Sequence, residues 1–394
     1  MKEKIKEAIR LYGTPLYIFD LDQFRETIQR VQKVVGENIQ LVYAMKANPF
    51  LVKTAVEELH GTEVCSPGEF KICEKHKIPM DKIVLSGVYK EKGDIEHVLD
   101  TFYGLGIYTV ESKNQLQLLQ ELANERGLQI NILLRLTSGN QFGMDEDTIR
   151  EIIREQKSYK NLQIEGIQYY SGTQKKDTAV LEKEVGYLDE FLKNLEREYG
   201  FVANKLEYGP GLFVSYFQKE KYYENELEVL AECLKNMHFQ GRIVLELGRY
   251  LAASCGIYVT KIVDWKENCG QKYVIVDGGI HHLNYYGQTM AMKIPYFQQL
   301  AKDTLDRRVV DSRDYLPVHV CGALCTVSDV LVKNMPLVEG CIEDVLAFQN
   351  TGAYSVTEGI SMFLSRTLPK VVCCSERNGI VLTRNAIESG QFNG

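Results

Sequence analysis

Short apolar runs of β character alternate with helical patterns from about residue 39 to residue 248. The runs cover residues 39–45, 62–65, 83–86, 106–110, 130–136, 165–170, 205–208 and 243–247, eight in all. Between them apolar residues recur at i, i+3 and i+4, as in Leu51, Val52, Ala55, Val56 and Leu59, or Leu116, Leu119, Leu122 and Ala123. Ser112 and Asp177 stand where helix N-caps are expected. Eight strand-helix units predict an α/β fold with a parallel (β/α)8 TIM-like barrel over residues 20–250, a doubly wound sheet being the alternative.

After Arg249 the texture changes. Residues 258–263, 272–277, 308–310, 316–320, 344–348 and 371–374 are short, Val- and Ile-rich, and divided by Gly, Asn or charged turns. They predict an all-β domain over residues 251–394, completed by residues 1–19 through an early strand at 15–19. No low-complexity linker separates the two parts, so tight packing is expected.

Composition narrows the function. A chain of 394 residues with 45% hydrophobic and 25% charged residues is of ordinary globular type. The net charge of −7, with dispersed lysines, offers no footprint for nucleic acid or an anionic membrane. No apolar run reaches the roughly 20 residues needed to span a bilayer, and the N-terminus lacks a signal-like apolar stretch, so a cytoplasmic protein is expected. Most of the ten cysteines sit in apolar runs as small hydrophobes, and neither Cys321-x3-Cys325 nor His281-His282 has the spacing of a metal site. Small-molecule chemistry is the remaining class.

The first run, Leu41-Val42-Tyr43-Ala44-Met45-Lys46, ends on a lysine. An ammonium there is costly to desolvate unless it is paired or has a task. One task is a Schiff base with pyridoxal phosphate (PLP), which a dry pocket favours by lowering the lysine pKa. The plain alternative is an exposed lysine at a strand end. Active sites of such barrels lie at the carboxyl ends of the strands, and the polar oddities of this chain collect there: Lys46, residues 65–69, Arg135, Ser171-Gly172-Thr173, Gly209-Pro210-Gly211 and Glu246-Leu247-Gly248-Arg249. Gly209 and Gly211 would let backbone amides approach an anion, although a plain turn has the same signature. With Thr173 and the forked guanidinium of Arg249 they compose a phosphate cup. Glu246 could hold a pyridine nitrogen protonated or, more simply, pair with Arg249.

Seven segments stand in order along the chain: Tyr43-Ala44-Met45-Lys46-Ala47-Asn48, Gly166-x5-Gly172-Thr173-Gln174, Gly209-x-Gly211, Glu246-x-Gly248-Arg249, Val276-Asp277-Gly278-Gly279, Cys325-x3-Asp329 and Gly352-Ala353-Tyr354. The series resembles the PLP-dependent ornithine/diaminopimelate decarboxylase family over about residues 14–383. That resemblance implies an alanine-racemase-like, fold-type III barrel with a C-terminal β-domain, a homodimer with shared active sites, and α-decarboxylation of an amino acid. It makes Lys46 the Schiff-base lysine and sets Glu246 at the pyridine nitrogen. Thr173, Gly211, Arg249 and Tyr354 meet the phosphate, and Gly209 and Gly248 belong to the same cofactor loops. Cys325 comes from the partner subunit to protonate the carbanion, and Arg135, Thr326 and Asp329 line the substrate.

Three departures from the family pattern refine this. Tyr170 stands where a ring-stacking histidine is common, and an aromatic face still stacks. Thr326 follows Cys325 where an acidic residue usually reads a distal ammonium. An Arg-Pro pair usual in diaminopimelate enzymes is missing from Ile280-His281-His282-Leu283-Asn284-Tyr285. Residues 141–146, 171–174, 248–251 and 324–326 are similar to a branch of the family that decarboxylates a glutamyl group on an acyl-carrier protein in butirosin biosynthesis. The implied substrate is an amino acid, or a carrier-protein-bound aminoacyl group, without a strongly recognised distal ammonium. The alternatives are a diaminopimelate, ornithine or lysine decarboxylase, a racemase or epimerase on the same fold, and an inactive regulatory relative.

Overall fold

The computed structural model describes residues 2–222, 225–308, 314–339 and 341–394. They form two compact units, one of residues 27–213 and 222–250, the other of residues 1–26, 214–221 and 251–394. Strand β1 (Leu16–Asp20) belongs to the second unit.

The first unit is a closed parallel barrel of β2 (Gln40–Ala44), β3 (Gly61–Val64), β4 (Ile83–Leu85), β5 (Ile107–Val110), β6 (Ile130–Leu136), β7 (Leu162–Tyr170), β8 (Lys205–Gly209) and β9 (Arg242–Leu247). All eight expected strands are present in the expected order. Strands buried on both faces read as short apolar runs, which is why they were legible. Val42, Val84 and Val244 pack together with Ile107 as an apolar plug in the barrel. The register then sets carboxylates beyond it, pairing Ala44 with Glu63, Val42 with Glu246 and Gln168 with Glu207. Helices begin where the sequence caps them. Ser112 Oγ accepts from Gln115 N at 3.2 Å, and Asp177 Oδ1 from Ala179 N at 3.0 Å.

The second unit is a nine-stranded sheet in the order β14-β13-β11-β10-β1-β16-β17, with β15 pairing both β10 and β12. Its later strands are β10 (Gly256–Asn268), β11 (Gln271–Val276), β12 (Phe297–Leu300), β13 (Tyr315–Cys321), β14 (Val330–Val338), β15 (Val345–Gln349), β16 (Lys370–Ser375) and β17 (Gly379–Arg384). Ala8, Leu16, Ile18, Ile257, Val259, Val345 and Val372 are among the residues of one of its cores. Three strands escape the sequence pattern. Strand β14 carries Lys333, Asn334 and Pro336, and Asn334 adopts φ +53° beside a shift in register. Strand β17 is an outer strand with mostly exposed side chains, and β12 has only four residues. Of the expected strand at 308–310, Arg308 lies outside any strand, and Val309 and Val310 fall outside the described residues.

Two segments assigned to the barrel from sequence group with the sheet. In residues 20–26, Asp22 accepts from Lys4 Nζ at 2.9 Å and from Glu376 N at 2.7 Å. In residues 214–221, Phe217 bridges Pro295, and Gln218 N donates to Ile294 O at 2.9 Å.

Candidate active site

Strand β2 runs into a single turn of 3-10 helix, Met45–Ala47, that places Lys46 at the barrel mouth with 39% of its side chain exposed. Its Nζ donates to Glu63 Oε2 at 2.5 Å and to Glu246 Oε1 at 2.9 Å, and lies 3.9 Å from Cys65 Sγ. Burial raises the pKa of both carboxyl groups. At Glu63 the charge and hydrogen bond of Lys46 outweigh it and bring the group down to about 2. At Glu246 burial and then the charge of Glu63 push it up to about 8. Glu63 is therefore held toward its ionised form and Glu246 toward its protonated form, each answering to the other. Glu246 meets Lys46 here, while Arg249 Nε donates to Thr173 Oγ1 at 3.3 Å.

Two glycine-containing loops flank Arg249, which is buried. Gly211 has φ +65°, and a Cβ there would strike Gly172 O. A Cβ on Gly209 would sit 2.7 Å from the Tyr170 ring. Only glycine allows this approach of loop to loop and of aromatic ring to backbone. Gly248 is tight but less so, its Cβ position lying 3.0 Å from the Cβ atoms of Ala44 and Ala47. Arg135 donates to Glu111 Oε1 at 3.2 Å and lies over the Phe142 ring, while Glu111 Oε2 accepts from Gly143 N.

The other predicted residues lie in the sheet unit. Cys325 is exposed beside Val327, which is 98% exposed. Thr326 Oγ1 accepts from Ser328 N at 3.3 Å. Asp329 is buried, with Oδ1 accepting from Ile280 N at 2.9 Å and Oδ2 from Leu324 N at 2.7 Å. Gly279 and Gly322 press so closely on this carboxylate that neither position has room for a Cβ. Asp329 thus fastens the loop that carries Cys325. Tyr354, half-buried with φ +66°, has its carbonyl turned to Thr357 N and Glu358 N.

Residues 21–253 match the family model for the pyridoxal-binding domain of pyridoxal-dependent decarboxylases. The chain belongs to the pyridoxal-dependent decarboxylases. It is similar to an L-glutamyl-[BtrI acyl-carrier protein] decarboxylase of Niallia circulans, at 26% identity over 95% of this chain and 92% of that protein. It is likewise similar to a diaminopimelate decarboxylase of Aquifex aeolicus, at 27% identity over 89% of this chain and 84% of that one. In fold, the crystal structure of a diaminopimelate decarboxylase from M. jannaschii superposes with a TM-score of 0.84 at 24% identity, covering 98% of this chain and 92% of that one. This decarboxylase is an alanine-racemase-like, fold-type III carboxy-lyase with PLP as its cofactor.

The donor set of the decarboxylase barrel fits that cofactor. A primary amine held by two buried carboxylates suits an aldehyde, and a carboxyl that keeps its proton to about pH 8 suits a ring nitrogen. A buried guanidinium beside glycine loops with no space for a Cβ suits a phosphate. Sequence reasoning missed Glu63, Glu111 and Glu207. Glu207 is fully buried and accepts from Gln168 Nε2 at 2.9 Å, while its Oε2 and Gln168 Oε1 have no hydrogen-bond partner. Burial drives it up to about 7. The available signal was a charged residue inside a short apolar strand, as in Thr62-Glu63-Val64 and Leu206-Glu207-Tyr208.

Proposed function

We propose that this enzyme removes the α-carboxylate of an amino acid or aminoacyl group that has no distal ammonium, of the kind represented by a glutamyl group linked to a carrier protein. The observation that carries this reading is the loop after β13. The side chain following Cys325 is the neutral Thr326, and the one carboxylate of residues 321–329, Asp329, is buried and engaged by two backbone amides. Nothing in that loop balances a cation. Similarity to a glutamyl-carrier-protein decarboxylase supports the same reading, beside the similarities to diaminopimelate enzymes.

In this mechanism PLP supplies an electron-withdrawing ring that accepts the pair freed when the Cα–carboxylate bond breaks. Lys46 is the amine that would hold the cofactor aldehyde, and Glu63, accepting a hydrogen bond from it at 2.5 Å, would fix its position. Glu246, whose burial raises its pKa to about 8, is the group that would sit against the ring nitrogen and favour its protonated form. Thr173, Gly211 and Arg249 would hold the phosphate, and Tyr170 would cover the ring. Arg135, paired with Glu111, borders the substrate. The enzyme works as a homodimer, in which Cys325 of the partner subunit returns a proton to Cα after carbon dioxide leaves.

The test is the ratio of kcat/KM for lysine, ornithine or diaminopimelate to that for a glutamyl thioester on a carrier protein or a pantetheine mimic. A buried ammonium without its carboxylate costs several kcal/mol, so the ratio is expected below about one in a thousand. A ratio above one would return the enzyme to the basic amino-acid decarboxylases.

A further inference from the structure

The two loops assigned to the phosphate are joined by one side chain. Glu184 lies two turns into the helix Thr178–Tyr199 and is buried. It collects three donors. Ser171 Oγ donates to its Oε1, and Lys175 Nζ and Tyr208 OH both donate to its Oε2 at 2.6 Å. Ser171 and Lys175 bracket Gly172, Thr173 and Gln174, the loop after β7, whereas Tyr208 directly precedes Gly209-Pro210-Gly211, the loop after β8. Backbone contacts follow the same seam. Lys175 N donates to Gly211 O at 3.1 Å, Lys175 bridges Leu212, and Gly211 leans on Gly172 O.

We propose that Glu184 is a positioning residue that locks the loops after β7 and β8 into a single phosphate-binding cup. A carboxylate accepting three hydrogen bonds, one from an ammonium whose side chain is only 9% exposed, holds both ends of the Thr173 loop and the entry to the Gly211 loop. Lys175 thereby has its charge satisfied away from the cup, and Thr173 and the amides around Gly211 keep their orientation. Glu184→Gln has almost the same shape but presents an amide N–H2 where a carboxylate oxygen accepted, so one set of donors faces a donor. The two loops then lose their common anchor, and phosphate affinity falls while the ring and aldehyde contacts stay.

This rests on the assignment of Thr173, Gly211 and Arg249 to the phosphate, and the experiment separates the two ideas. The full-length apoenzyme is titrated with PLP and with pyridoxal, which lacks the phosphate, and its melting temperature is recorded. In Glu184→Gln the Kd for PLP is expected to rise about tenfold or more, the size typical of losing a residue that orients ligand-binding groups. The Kd for pyridoxal is expected to stay within about twofold of wild type. Ser171→Ala, which removes one donor and leaves Lys175 paired, is expected to move the same ratio in the same direction by a smaller factor. If Thr173→Ala weakens PLP over pyridoxal and neither Glu184→Gln nor Ser171→Ala does, the clamp is wrong and the phosphate assignment stands. If Thr173→Ala leaves the ratio unchanged, the phosphate assignment itself fails. Equal weakening of both ligands in step with a lowered melting temperature would make Glu184 a fold-stabilising residue only, and would overturn the proposal.

Discussion

In the barrel unit Glu63 and Glu246 meet at one lysine with Glu207 close enough to feel their charge, whereas in the sheet unit Asp277, Asp329 and Asp344 each sit among donors. Asp277 accepts from the Thr14 and Thr260 hydroxyls and from Lys261 N, and Asp329 from two loop amides. Asp344 accepts from Arg308 Nε at 2.9 Å, from Gln299 Nε2 at 2.9 Å and from Lys302 N. Burial raises Asp344, yet its donors, with the Arg308 charge, hold it below the ordinary carboxylate range; at Asp329 burial prevails over two amides, and at Glu207 and Glu246 burial, with neighbouring carboxylates adding to it, drives the groups further up. Carboxylates supplied with donors hold loops and strands in place. Those buried near one another with few donors keep a proton to exchange, and a proton-transfer site needs such groups.

The contrast predicts opposite outcomes for equally conservative changes. Glu246→Gln is expected to slow kcat by about a hundredfold, the order of losing one preorganised electrostatic contact, with KM less affected. Its melting temperature should change little, because Glu246 already holds its proton near neutrality and glutamine keeps its shape; a near-normal kcat would leave Glu246 as no more than a partner for Lys46. Asp344→Asn should do the reverse. It leaves the Arg308 guanidinium without its carboxylate, so stability by denaturant titration should fall by about 2–4 kcal/mol while kcat of the folded enzyme is retained. A loss of activity at unchanged stability would erase the distinction between the two units.

Much of this was legible beforehand, for reasons tied to particular residues. The eight barrel strands announce themselves as apolar runs, and Lys46 and Glu246 stand out because each ends one. Glu63 and Glu207 do not, because in a barrel buried on both faces local alternation cannot say which side chains point inward. Only closure of the barrel brings residues 63, 207 and 246 within electrostatic range. Asp329 shows the converse. Its spacing from Cys325 resembles a family site motif, while the closing of Gly279 and Gly322 around its carboxylate is three-dimensional information that the sequence does not carry. Strand β14 escaped because Lys333-Asn334 and Pro336 interrupt its pattern at an irregular register.

A smaller effect concerns pH. Glu207 moves from an ordinary 4.5 to about 7 in the folded protein, so the fold binds the extra proton between those values. Its favourable contribution is complete below pH 4.5 and is lost as the pH rises through about 7. Glu207→Gln should remove that slope and make the apoenzyme more stable than wild type at pH 8, by an amount on the order of 1–3 kcal/mol. Parallel stability curves for the two proteins between pH 5 and pH 8 would show that Glu207 does not titrate there.

The most direct test of the account is where the cofactor is attached. Borohydride reduction of the holoenzyme, followed by proteolysis and mass spectrometry, should give one pyridoxyl-labelled peptide with the modification on Lys46, and Lys46→Ala should give none while keeping the wild-type circular dichroism spectrum. A label on any other lysine, or equal labelling of Lys46→Ala, would contradict the assignment of the Lys46, Glu63 and Glu246 triad as the catalytic centre.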